Sequence, residues 1–160
     1  RFRRWQFSLG AVAAVFHDVL IVLGIFSLAW KYLPFTMEIN QAFIAAILTV
    51  IGYSLNDTVV VFDRIREFMN EHSNWKLRRV VNAALNSTLS RTLNTSLTTL
   101  VVLLAIFIFG GESIRGFMFA LIVGVIVGTY SSMFIATPIM YDTIKKGDIN
   151  KGLEEDTKAA

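Results

Sequence analysis

The sequence predicts an all-α, polytopic membrane protein: a bundle of four transmembrane helices with an amphipathic helix on the inner membrane surface. Three observations carry this prediction. Of 160 residues, 54% are hydrophobic and 17% charged, whereas soluble domains are nearer one quarter charged. Four apolar stretches are long enough to supply the roughly 20 helical residues that cross a bilayer core. Thirteen of the fifteen Lys and Arg, finally, fall in alternate segments between those stretches.

The first span, about 6–29, lies between Trp5 and Trp30, placed as interfacial anchors. The second covers 40–62, the third 92–109 and the fourth 117–140. Backbone polar groups in lipid must be satisfied within their own segment, so each is a helix. Pro34 marks the first outer connection and Gly110-Gly111 the second, where helices end or turn. Residues 63–91 form an inner loop. Its first part continues the second helix, a polar turn follows at His72 to Asn74, and an amphipathic stretch then alternates Trp75, Val80, Val81, Ala84 and Leu85 with Lys76, Arg78 and Arg79. Such a helix is expected to lie on the membrane surface. The polar tail, 146–160, is expected to be disordered and cytoplasmic.

Lys and Arg in short loops are retained on the cytoplasmic side. The N-terminus, the middle loop and the tail hold thirteen of them, while the other two loops hold Lys31 and Arg115. Both termini are therefore expected inside. The chain opens on Arg1 rather than Met and is expected to be a piece of a longer polypeptide.

An ionisable residue inside a membrane helix costs about 3 kcal/mol on insertion scales, which makes it a functional candidate by default. Asp57, Arg91 and Asp18 qualify. Helical spacing puts Thr49, Tyr53, Asn56, Val60 and Asp63 on one stripe of the second span, with Asp57 at its edge. Arg91, Asn94, Thr95 and Thr98 share a face of the third. Asp57 lies six residues, roughly 9 Å of helix, before Asp63 at the inner boundary, a depth that Arg91 can match. Three readings remain open for the pair. It can be a switch that opens when Asp57 takes up a proton, a static buried pair that fixes helix register, or a pair with one member reaching the inner headgroups.

Asp18 sits beside His17 in the first span. Neighbours on a helix point about 100° apart, so the two cannot grip one ion, and no metal site is expected. The stripe Gly10, Ala14, Asp18, Ile21 fits either a secondary place in a proton path or a hydrogen bond at a helix contact. In the fourth span Gly124-x-x-x-Gly128, with Ala120, Ser131 or Ser132, and Ala136, reads as a close-packing face. Asp63 to Glu67 reads as a solvated helix end in which Asp63 can pair with Arg66.

Catalysis is not expected. The sequence holds no cysteine, no His-Glu-x-x-His, no Gly-x-Ser-x-Gly and no glycine-rich phosphate loop. Nor does Asp57 stand in the glycine-flanked setting of an intramembrane aspartyl hydrolase. No cofactor is implied, and the basic residues follow a membrane surface rather than a nucleic-acid groove.

The run Val50-Ile51-Gly52-Tyr53-Ser54-Leu55-Asn56-Asp57-Thr58-Val59-Val60-Val61-Phe62-Asp63-Arg64-Ile65-Arg66-Glu67, followed by Ser90-Arg91-Thr92-Leu93-Asn94-Thr95-Ser96, closely resembles the SecF family. Ala14 to Val19, Phe109-Gly110-Gly111 with Ile114 to Phe117, and Gly124 to Ser132 extend the likeness through all four spans. The resemblance implies a transmembrane fold of the RND type, paired with SecD in the cell (inner) membrane. It further implies a proton-driven role in protein export beside the SecYEG channel and the SecA motor, acting on translocating preproteins. The positions of Asp57 and Arg91 would serve proton conduction, and those of Asp63, Arg64 and Arg66 carry no catalytic step. A further helix, an outer domain and another helix would precede this segment, and SecD would complete the proton-handling bundle. The alternative is a non-conducting assembly subunit whose buried charges only fix packing against SecD.

Overall fold

The computed structural model describes residues 5–33, 35 and 38–145. Arg1, Arg3, Arg4, Pro34 and the tail 146–160 lie outside the described residues. Four helices follow one another: α1 (Trp5–Ala29), α2 (Gln41–Glu71), α3 (Leu77–Phe109) and α4 (Glu112–Lys145). Each is long and apolar enough to cross a membrane, and no strand occurs among the described residues. The chain is an all-α membrane bundle, as its hydropathy predicts.

Asn40 starts α2, its side chain accepting from the Phe43 amide at 3.1 Å, which satisfies one of the donors left orphaned at a helix start. His72 ends it, its ring 3.9 Å from that of Trp75. Gly110 ends α3 where a Cβ would strike the Ile106 carbonyl. The regular part of α4, Glu112–Ser131, gives way to a π-helical turn at Ser132–Ala136. Pro138 explains the turn. Its ring has no N–H and would collide with the carbonyl four residues earlier, and the wider turn makes room. Thr137 Oγ1 donates to the Ser132 carbonyl at 3.0 Å.

One expectation needs correction. The stretch foreseen as a separate surface helix is the opening of α3, which runs unbroken from Leu77, and the inner loop shrinks to the few residues between α2 and α3. No Gly or Pro interrupts Leu77–Phe109. The apolar side of the stretch stays in phase with the span, since Val80, Val81, Ala84, Thr88, Thr92 and Ser96 form one buried row. Val81 and Ala84 pack on Phe7, Phe62, Ile65 and Met140, so this face is covered by protein and not by lipid.

Two apolar clusters form the core. The inner one joins the start of α1, the middle of α2, the start of α3 and the end of α4. An outer one gathers Val22, Phe26, Phe43, Val50, Leu103 and Val125. Between them, Gly124 and Gly128 of α4 lie against Val50 and Ser54 of α2. A Cβ at Gly124 would overlap the Val50 methyls, and one at Gly128 would stand 3.2 Å from Ser54 Cβ. The small-residue face is thus a close contact between two helices, which lipid-phase packing favours. Gly124→Ile is expected to lower the stability of the purified bundle by about 1–3 kcal/mol, the usual cost of overpacking. Thermal unfolding in detergent checks this, and an unchanged midpoint would contradict the contact.

Candidate functional site

α2 carries the site because it packs against every other helix and turns acidic and hydroxylic groups inward. Its buried row runs Val50, Ser54, Asp57, Thr58, Val61, Phe62, Ile65, the spacing of one helical face. Asp57 is 5% exposed. Among the described residues its Oδ2 has no hydrogen-bond partner, and neither does the hydroxyl of the fully buried Thr58 beside it.

Arg91 sits at the edge of the buried row of α3, between Thr88 and Thr92, and is exposed. It acts on Asp57 through its charge, yet no ion pair joins the two. Arg91 instead lines a cavity of about 590 Å³ between the C-terminal half of α2 and the N-terminal half of α3, with Val60, Asp63, Arg64, Glu67 and Ser87 among the other walls. Asp57, Val60 and Arg64 follow one another at three and four residues on α2, so the cavity begins one helical turn beyond the carboxylate, toward the end of α2. At its mouth Arg64 donates to Glu67 at 2.5 Å and to Ser87 at 3.0 Å, and its guanidinium lies 4.7 Å over Phe68. Arg64 and Glu67 thus form an i, i+3 pair near the helix end.

The expected polar lining divides in two. Tyr53 donates to Ser96 at 3.3 Å, and Ser96 shares a 2.6 Å hydrogen bond with Thr129, linking α2, α3 and α4. Asn56, Asn94, Thr95 and Thr98 are exposed on the outside of this chain. Thr95 and Thr98 turn their hydroxyls onto carbonyls of their own helix at 2.9–3.0 Å, as mid-helix threonines commonly do.

Asp18 lies elsewhere and is better satisfied. Fully buried, its Oδ2 accepts from Ser54 of α2 at 2.5 Å and from Ser131 of α4 at 2.7 Å, while Oδ1 faces His17 Nδ1 at 3.1 Å. One carboxylate oxygen thus joins three helices. Gly128 makes this possible, because a Cβ there would stand 3.7 Å from Oδ2 and closer still to Ser54. Sequence reasoning placed Ser131 on the packing face and read Ser54 only as part of the family run. Neither reveals its partner locally, since the bonds close over 36 and 113 residues. No group of three His, Cys, Asp or Glu that could hold a metal occurs among the described residues.

The model of the family described as "Protein export membrane protein SecD/SecF, C-terminal" matches residues 1–146. The chain is 62% identical over 138 residues to the protein translocase subunit SecF of Rhodothermus marinus, covering 86% of this chain and 45% of that one. It is 49% identical over 137 residues to the protein translocase subunit SecDF of Brucella abortus, covering 86% of this chain and 17% of that one. Among solved structures, a SecDF in a super-membrane-facing form superposes with a TM-score of 0.85 at 39% identity, covering 94% of this chain and 20% of the other. SecDF of Thermus thermophilus, described as a translocon-associated membrane protein, superposes at 0.78 with 42% identity over 88% and 19%. The chain spans about half the length of the SecF relatives it matches. It belongs to the SecD/SecF C-terminal family of protein export membrane proteins.

Proposed function

We propose that this chain is the membrane half of a protein translocase subunit in which proton exchange at Asp57, answered by Arg91, drives a conformational cycle that promotes preprotein export. The observation that carries the reading is Asp57 itself: a buried carboxyl oxygen with no partner, one turn from a cavity lined by an arginine. A buried polar group left unpaired costs about 1–3 kcal/mol, which a purely architectural position has no reason to retain. Ionised, Asp57 attracts Arg91. Protonated, it releases that attraction, and a two-state bundle shifts by the difference. Water reaching the cavity from the inner side supplies one route for the proton. The other route requires the surface bearing Asn94, Thr95 and Thr98 to be completed by SecD, the partner this reading assigns. In this account Asp18 is a tie between helices, with no more than a secondary place in the proton path.

The assembly would lie in the cell inner membrane with both ends of this segment cytoplasmic, next to the SecYEG channel and SecA. A non-conducting scaffold is the competing reading. It fits Asp18, whose lone pairs are engaged on three helices, better than Asp57, whose Oδ2 holds nothing. The test is the full-length complex reconstituted with channel, motor and a preprotein. Collapsing the proton gradient with an uncoupler is expected to remove the part of export that the complex adds. Export that keeps its full rate without a gradient would favour the scaffold.

A further inference from the structure

The start of α3 carries Lys76, Arg78 and Arg79, and its first turn contains no acidic residue. Cations there face the positive end of the helix dipole, an unfavourable placement. Arg79 is held over the Trp75 ring at 4.2 Å. Two clefts meet at this point and share Arg78 and Asn82 as walls. One, about 530 Å³, is polar and includes Lys76, Arg78, Arg79 and Asn86. The other, about 430 Å³, descends between α3 and α4 past Val81, Leu85, Met133 and Pro138, with Arg78 and Tyr141 in its walls. No acidic side chain among the described residues lines either cleft. The π turn ahead of Pro138 shapes the second.

Depth follows from packing. Val81 and Ala84 share a cluster with Phe7 and Met140, and Phe7 is two residues from the exposed Trp5 at the start of α1. Arg78 therefore stands at the level where α1 leaves the apolar core, next to Trp75 and Tyr141, side chains that suit a headgroup boundary.

We propose that the paired clefts form a binding site for one anionic phospholipid, its phosphate among Lys76, Arg78 and Arg79 and an acyl chain in the groove lined by Val81, Leu85 and Met133. Charge complementarity selects this occupant. The charged walls of the polar cleft among the described residues are all basic, the adjoining groove is largely apolar, and they meet at the depth where phosphate and acyl chain join. Basic pockets between helices on the cytoplasmic side commonly hold such headgroups.

The test uses the full-length complex in nanodiscs of phosphatidylglycerol and phosphatidylethanolamine, followed by native mass spectrometry of lipid retained after extraction. Phosphatidylglycerol is expected to be retained in preference, and inorganic phosphate at millimolar concentration is expected not to displace it. Each lost cation should lower retention about fivefold, and Lys76→Gln with Arg78→Gln and Arg79→Gln together about a hundredfold. Leu85→Trp, which fills the groove and keeps the charge, should also lower it. Equal retention of both lipids, displacement by phosphate alone, indifference to these substitutions, or the groove occupied by another segment of the full-length chain would each overturn the proposal.

Discussion

Asp57→Asn and Arg91→Met are each expected to abolish gradient-dependent export by the full-length complex while leaving its assembly intact. One proton falling through 100 mV delivers about 2.3 kcal/mol, which corresponds to about a fortyfold bias. Asparagine cannot take up that proton, so the bias disappears. Methionine removes the positive charge that answers Asp57 in the cycle, so proton exchange there no longer moves a partner. Neither substitution removes an ion pair or breaks a hydrogen bond made by Asp57 Oδ2. Stability should therefore change little. Export rates in vesicles, with co-purification of the complex as the control for assembly, decide the matter. Retained gradient dependence in either variant would show that the pair is architectural.

Asp18→Leu is expected to have the opposite signature, a large loss of stability. Leucine would strand the Ser54 hydroxyl in the three-helix junction and leave Ser131 with only the Gly128 carbonyl at 3.2 Å. The unsatisfied buried donor alone costs the bundle about 1–3 kcal/mol. Asp18→Asn keeps an acceptor oxygen in place and should recover most of the stability and the export rate. The comparison is a thermal unfolding series joined to an export assay. If Asp18→Asn folds normally and exports nothing, Asp18 carries protons and the assignment as a tie is wrong.

The contrast between the two aspartates shows where sequence reading ends. Each announces itself by the cost of a charge inside an apolar span, and both appear at first as candidates of the same kind. What separates them is tertiary register: hydroxyls from α2 and α4 reach Asp18, and nothing reaches Asp57 Oδ2. No local pattern encodes that difference. The four helices were legible because lipid enforces length and apolarity on each segment separately. Gly124 and Gly128 were legible for a similar reason, their spacing alone marking a close-packing face.

The opening of α3 misled because charge density obscured continuity. Lys76, Arg78 and Arg79 suggested a surface helix, whereas the absence of Gly and Pro through Leu77–Phe109 already favoured one uninterrupted rod. The π turn ahead of Pro138 was not foreseen, since the fourth span reads as one apolar stretch through that proline. The outward placement of Asn94, Thr95 and Thr98 is set by how α3 is rotated against α2 and α4, which their polarity alone does not encode.

The central claim is that Asp57 gains and loses a proton during export. Infrared difference spectroscopy on the reconstituted full-length complex, comparing imposed and collapsed proton gradients during preprotein transit, reads the carboxylic-acid C=O stretch directly. The account predicts a band that changes with the gradient in the parent and is missing from Asp57→Asn. An identical difference band in both proteins, or none in an exporting parent, would contradict it.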